Sequence, residues 1–245
     1  MARSDRSLRT SVNRGRIMNK LTRGILTAGL LISIAPMAQA YSVVSLRDAF
    51  NNNLVLNSGD KQFSNWFISE IGINASDVMI HYGSDVVDQF GNYGLCFETP
   101  TLNVTGANEP KDLGIGFVVT ATAKDRLITD VHLSIKTLVS GNAGASVGES
   151  WVSPTYNASG GLSTYDFGNG LAQNSDVDFV IPGAKYLSIL KDARVGTFDN
   201  QRGSASITEI CQYFSQSGPV PEPGNVAFIV ASGLMSIGLL KRRRK

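Results

Sequence analysis

Gly144-Ala145-Ser146-Val147-Gly148 has the spacing of a nucleophile elbow, which holds a serine on a sharp strand-to-helix turn for acyl transfer. Such a serine needs an acid and then a histidine after it in the chain. The only histidines, His81 and His132, both precede Ser146. Two glycines flanking a β-strand account for the match. Ser188-Ile189-Leu190-Lys191 fits S-x-x-K, but the partner motifs of penicillin-binding enzymes do not follow it. Its apolar centre reads as strand. Neither motif carries an acyl-transfer enzyme.

Metal chemistry is scarcely better supplied. Two histidines cannot complete a zinc tetrahedron unless carboxylates or thiolates join them. Asp166, Asn169, Asp176 and Asp178 cluster in "YDFGNGLAQNSDVD" and offer the oxygen ligands that calcium prefers. No EF-hand spacing is present, and solvated turn residues explain the cluster equally well. Calcium is therefore the one candidate cofactor. Paired carboxylates for glycoside cleavage need two acids to meet in the fold, and nothing singles out a pair. Trp66, Trp151 and Tyr156 offer a sugar-stacking platform, although aromatic rings in a sandwich more often fill its core. Asn74, Asn103 and Asn157 occupy N-x-S/T sequons. Thr120-Ala121-Thr122 occurs once, without the repeat that a flat threonine array requires.

The elements that must position these residues have period two. In "ITDVHLSIKTLV", Val131, Leu133 and Ile135 alternate with Asp130, His132, Ser134 and Lys136, as in a half-buried strand. "GFVVTATA" precedes it and ends at "KDR", so Phe117 to Ile135 is expected to form a hairpin. Further strands are expected at "YSVVSL", "KQFSNWFI", "SDVMIHY", "GLCFE", "ASVGESWV", "VDFVI", "YLSILKD" and "GSASITEICQYF". In the last, Ile210 falls out of phase with Ile207, and a β-bulge near Thr208-Glu209 would restore the alternation. The segments "NNNLVLNSGD", "SGNAGAS", "NASGG" and "GNGLAQNS" read as breaks, and one or two helical turns fit Ser45 to Asn51. Many short strands at regular spacing imply an all-β, antiparallel sandwich of the jelly-roll kind.

The formal charge of +2 averages over unlike parts. Seven cations and one acid lie in residues 1–40, and five and one in residues 220–245, out of 22 and 20 in all. The 41–219 domain is left with a net −8, which argues against nucleic acid or anionic lipid as partner. The domain is long enough to bury a core unaided. Cys96 and Cys211 both lie in it, and an even count in an exported protein favours a disulfide over two free buried thiols. That bond would place the last strand near an early one.

The two ends carry membrane signals. "MNKLTRGILTAGLLISIAPMAQA", from Met18 to Ala40, reads as a secretory signal peptide with cleavage between Ala40 and Tyr41. The basic stretch before it places the expected start at Met18. No Arg-Arg pair precedes the apolar run, so the general translocon and signal peptidase are the expected partners. At the other end, Val226 to Leu240 is uncharged. As a single transmembrane helix it would span about 22 Å, short of the roughly 30 Å hydrocarbon core. Lys241, Arg242, Arg243, Arg244 and Lys245 would hold its inner end in the cytoplasm. Pro221-Glu222-Pro223 fixes an extended segment just outside it.

Val220-Pro221-Glu222-Pro223, the short span and the basic tail together resemble the PEP-CTERM sorting signal of Gram-negative bacteria. The resemblance implies recognition by an exosortase, a transpeptidase that removes the anchor near Pro-Glu-Pro and passes the protein to the cell surface or exopolysaccharide matrix. "SGDKQFSNWFIS", "GASVGES" and "LSILKDARVGTFDNQRGSASITEICQYFSQ" are similar to secreted β-rich domains that precede such tails. The expected protein is thus a non-enzymatic surface or matrix component, with exopolysaccharide as candidate ligand. An extracellular carbohydrate-active hydrolase with unrecognised carboxylates is the alternative.

Overall fold

The computed structural model describes residues 41–198 and 202–217. The expected signal peptide up to Ala40, the Pro221-Glu222-Pro223 motif, the expected 226–240 span and the Lys241–Lys245 tail lie outside the described residues. In chain order the elements are β1 (Ser42–Ser45), α1 (Leu46–Asn51), β2 (Leu56–Ser58), β3 (Lys61–Ile71), a 3-10 turn (Ala75–Asp77), β4 (Met79–Tyr82), β5 (Gly94–Glu98) and β6 (Asn103–Thr105). There follow β7 (Lys111–Ala121), β8 (Leu127–Gly141), β9 (Ala143–Ser153), β10 (Ala158–Asp166), β11 (Ala172–Gln173), β12 (Ser175–Ala184), β13 (Tyr186–Thr197) and β14 (Gly203–Ser217).

These strands form two antiparallel sheets packed as a sandwich. The first runs β1-β4-β5-β14-β8-β12, with β6 also on β14, and the second runs β11-β10-β9-β13-β7-β3-β2. Alternating apolar residues from both sheets meet in one core, which includes Phe63, Phe97, Phe117 and Phe214. α1 starts where Ser45 Oγ accepts the Asp48 amide at 3.0 Å, and it buries Leu46 and Ala49. That is the helical turn expected near Ser45.

The phase slip in the last strand is a bulge. The pairing of β14 with β8 shifts between Ile207 and Glu209, so Ile207 and Ile210 are both buried. Cys211 pairs directly with Cys96, and the two form a disulfide across 115 residues.

The expected hairpin of Phe117 to Ile135 is not formed. β7 is flanked by β3 and β13, whereas β8 is flanked by β12 and β14 in the other sheet. Both strands need an apolar face inward, and the 122–126 connection satisfies this by crossing between sheets. All four segments expected as breaks contribute strand: "NNNLVLNSGD" holds β2, "SGNAGAS" spans the end of β8 and the start of β9, "NASGG" starts β10 and "GNGLAQNS" holds β11. Position 160 of β10 requires glycine, because a Cβ there would stand 2.0 Å from Asp178 Oδ2 and 2.5 Å from the Trp151 ring.

Candidate functional site

A groove opens on the solvent side of the first sheet. β14, β8 and β12 lie side by side there, and their register aligns Tyr213 with His132 and His132 with Val177. One step along, Cys211 aligns with Ser134 and Ser134 with Ser175. The period of two turns all of these away from the core. The connection between β4 and β5 folds over this floor, pinned by a bridge between Val87 and Tyr93. Asp88 builds its tip: Oδ1 accepts the amides of Phe90 at 2.8 Å and Asn92 at 2.9 Å, and Oδ2 accepts Asn92 Nδ2 at 2.8 Å. Gly91 supplies the left-handed φ of 83° that closes the turn. Phe90 is left 74% exposed, a large apolar ring held in water by the turn that Asp88 builds.

The space between loop and sheet is about 630 Å³, with Asp88, Phe90, His132, Ser134, Val177 and Tyr213 among its walls. A smaller hollow of about 200 Å³ continues it past Val87 and Tyr213 to His81 and Tyr41. The Tyr41 and His81 rings lie 5.3 Å apart, and His81 Nε2 is 3.1 Å from Glu98 Oε2. The run of Tyr41, His81, Tyr213, His132 and Phe90 gives one face of the protein a ring-lined track.

Its electrostatics are set by neighbouring acids. His132 Nε2 lies 2.7 Å from Asp130 Oδ1 and 3.2 Å from Ser215 Oγ. The hydrogen bond to Asp130 raises the His132 pKa above its ordinary value, against the opposing effect of burial. Burial alone would raise Asp130, but hydrogen bonds from His132 and Ser215 outweigh it and hold the carboxyl low. Burial, then the charges of Glu209 and Asp88, push the Tyr213 phenol up, so it stays a neutral hydrogen-bonding group.

The sequence candidates fall elsewhere. Ser146 lies inside β9, paired with Tyr165 on one side and Arg194 on the other, so Gly144 to Gly148 is continuous strand and no elbow. Ser188 and Lys191 are in strand β13, as their pattern indicated. Trp66 and Trp151 are core residues, while Tyr156 lies exposed in the turn after β9, so the three form no platform. Asn74 caps the 3-10 turn by accepting the Ser76 amide at 2.9 Å.

The proposed calcium ligands are already engaged. Asp166 accepts Thr137 Oγ1 at 2.8 Å and the Gly168 amide at 2.9 Å, and Asn169 accepts the Leu171 amide at 3.2 Å. Asp176 accepts the Ser163 amide at 2.8 Å, and Asp178 accepts Trp151 Nε1 at 2.8 Å and the Gly161 amide at 3.1 Å. Asp176 and Asp178 thus fill alternate vacant amides of β10 from the facing edge of β12. Among the described residues these aspartates form no convergent group with other acids, and the cluster that does converge, Cys96, Glu209 and Cys211, contains the disulfide.

Two further arrangements were not anticipated. Asp112 of β7 hydrogen-bonds Asp192 of β13 on the outer face of the second sheet. Burial, then that bond, raise the Asp112 pKa to about 6, with Arg194 opposing. In the core, Lys191 and Glu149 form a buried ion pair. The sequence carried a signal for both members of this pair: Lys191 is in phase with Ile189 and Val195, and Glu149 with Val147 and Trp151. No comparable signal announces the groove, because Asp88 and Phe90 lie in a connection.

No protein-family model and no curated protein matches the sequence. Among solved structures, the chain is similar to the carbohydrate-binding module TmCBM61 in complex with β-1,4-galactotriose, at 10% identity and a TM-score of 0.31, over 62% of this chain and 90% of that one. It is similar to the enzymatically active domain of tailspike protein 4 of bacteriophage CBA120, at 18% identity and a TM-score of 0.26, over 62% of this chain and 20% of that one. A third similarity is to the glycosylation-associated Gap123 complex of Streptococcus agalactiae, at 13% identity and a TM-score of 0.24, over 60% and 44%. Overlaps this partial do not define a shared fold.

Proposed function

We propose that this chain is a non-enzymatic exported protein of the cell surface or exopolysaccharide matrix, and that the groove beside Phe90 takes a segment of polysaccharide. The observation that carries the reading is the pairing of an exposed, rigidly presented ring with a polar floor. Sugars bind by stacking apolar C–H faces on aromatic rings while their hydroxyls meet fixed donors and acceptors. Phe90 and Tyr213 offer the rings, and His132, Ser134 and backbone groups offer the polar contacts. Both groove aspartates, Asp88 and Asp176, are occupied by amide donors, which suits holding a ligand better than transferring protons. With a domain charge of −8, neutral or amino-bearing glycans fit better than uronate-rich ones.

The export and sorting part of the proposal is supported by the sequence at both ends. The signal peptide before Tyr41 would bring the protein to the translocon, and an exosortase-type transpeptidase would act near Pro221-Glu222-Pro223. Among the described residues no helix is long and apolar enough to cross a membrane.

The deciding experiment is a glycan-array screen of the full chain, followed by titration of the best neutral glycan against wild type and Phe90→Ala. Loss of at least tenfold in affinity supports the groove. Equal affinity of the two proteins, or silence across the array, overturns it. A second reading, a hydrolase, rests on the neighbouring carboxyls of Asp112 and Asp192 and on the raised pKa of Asp112. Release of reducing ends by wild type but not by Asp112→Asn would support that reading.

A further inference from the structure

A polar cluster is buried in the core where three strands meet. The register of β13 with β9 sets Lys191 opposite Glu149, and both side chains turn toward the other sheet. From that sheet comes Gln212 of β14. Lys191 and Gln212 are fully buried and Glu149 is 6% exposed. Lys191 Nζ donates to Glu149 Oε2 and to Gln212 Oε1, and the Phe117 ring lies 5.9 Å from Nζ. Two polar atoms of the cluster, Glu149 Oε1 and Gln212 Nε2, have no hydrogen-bond partner.

An ion pair sealed in this way is a poor resting state. The cluster is shut off from solvent, and two of its five polar atoms are unpartnered. Burial drives the Lys191 ammonium toward the free amine and the Glu149 carboxylate toward the acid. An amine in contact with a primary amide, beside a carboxyl group and away from water, is the set of groups that amide exchange needs, and burial favours the neutral forms through which the exchange would run.

We propose that Lys191 and Gln212 become joined by an intramolecular isopeptide bond, with Glu149 carrying the protons. The Nζ lone pair attacks Cδ of Gln212 while the Glu149 acid donates its proton to Oε1. As the tetrahedral carbon collapses, a proton from Nζ passes through Glu149 to Nε2. The bond from Cδ to Nε2 breaks, ammonia leaves, and the hydroxyl proton returns to Glu149. One C–N bond forms and one breaks, and Glu149 ends as it began. The step needs no oxidant, metal or cofactor. The orphaned Nε2 is the leaving group, and the secondary amide that replaces the charged contact ties β13 of one sheet to β14 of the other.

A second lysine provides an internal contrast. Lys61 is also buried, but its Nζ contacts Asp60 Oδ1 at 2.5 Å, and the Asp60 side chain is 25% exposed. With its amide turned to suit, Gln216 of β14 accepts from Lys61 Nζ at 3.1 Å and donates to Asp60 Oδ2 at 2.7 Å. No orphaned atom remains there, and the acid is open to water. Lys61 and Gln216 are expected to stay unlinked.

The test is peptide-map and intact-mass spectrometry of the full chain, folded and then reduced. The expected result is a branched peptide joining the Lys191 and Gln212 segments, lighter by one ammonia than their sum, and linear peptides at Lys61 and Gln216. Glu149→Gln should give linear peptides throughout, although Lys191 and Gln212 are both present. Recovery of Lys191 and Gln212 in unmodified linear peptides from folded wild type overturns the proposal. So does loss of water in place of ammonia, which would mark a Lys191–Glu149 link. The wild-type map decides the matter even if the variant does not fold.

Discussion

Asp178 on β12 accepts the indole N–H of Trp151 on β9 at 2.8 Å, a hydrogen bond that passes from one sheet to the other. The same oxygen accepts the Gly161 amide at 3.1 Å. Asp178→Ala would orphan both donors at the sandwich margin, at about 1–3 kcal/mol for each one left unsatisfied. A fall of several degrees in Tm is expected, with a smaller fall for Asp178→Asn, which keeps an acceptor. Thermal unfolding followed by circular dichroism checks the order.

Lys191 and Glu149 give a different pattern. Removing one partner leaves the other's polar group stranded in the core and also prevents the proposed link to Gln212, so Lys191→Met or Glu149→Leu alone should cost at least about 3–5 kcal/mol. The double substitution leaves no stranded charge and is expected to cost clearly less than the two singles added together. Denaturant unfolding of the four proteins measures the coupling. Additive losses would show that the two side chains do not act as a pair.

His132 and Asp130 predict a pH window. The His132 pKa is raised above 6.5, so its contribution is complete below that value and is lost as pH rises through the folded pKa. The Asp130 pKa is lowered below 3.8, so its contribution is present above that value and is lost as pH falls through the folded pKa. The pair therefore stabilises most between about pH 4 and pH 6.5. His132→Asn should cost more at pH 5.5 than at pH 8.5, measured as the Tm difference from wild type at each pH.

Asp112 has the opposite sign. Its folded pKa of about 6 lies above the ordinary 3.8, so the folded protein holds this proton more tightly and loses stability as pH rises between the two. Asp112→Asn removes that loss. The variant should match or fall slightly below wild type at pH 4 and exceed it at pH 7.5, an effect moderated by the group's access to solvent. Tm across that range is the measurement.

Much of the sandwich was legible because a half-buried strand shows one apolar face at a period of two. The phase slip at Ile210 even located the bulge at Thr208, since two buried isoleucines cannot share a face without one. Sheet membership was not legible. β7 and β8 look alike whether they pair with each other or face across a core, because both choices bury the same residues. β10 was hidden by Gly160 and Gly161, which lower strand propensity, but Gly160 is required where Asp178 and Trp151 crowd the backbone and a Cβ at Gly161 would stand 2.9 Å from the Glu149 carbonyl. The Cys96–Cys211 bond followed from an even cysteine count together with the expectation of export. The groove was silent, because Phe90 becomes a contact surface only through an aspartate turn and a register between strands far apart in sequence.

The bond between Cys96 and Cys211 closes a covalent ring over 115 residues, from β5 to β14. A protease that cuts any single loop within that ring leaves both pieces attached. The sheets still hold the cut ends in register, and the nicked molecule keeps its shape. One cleavage of this kind does not release a fragment, and clearance by a peptidase requires at least two.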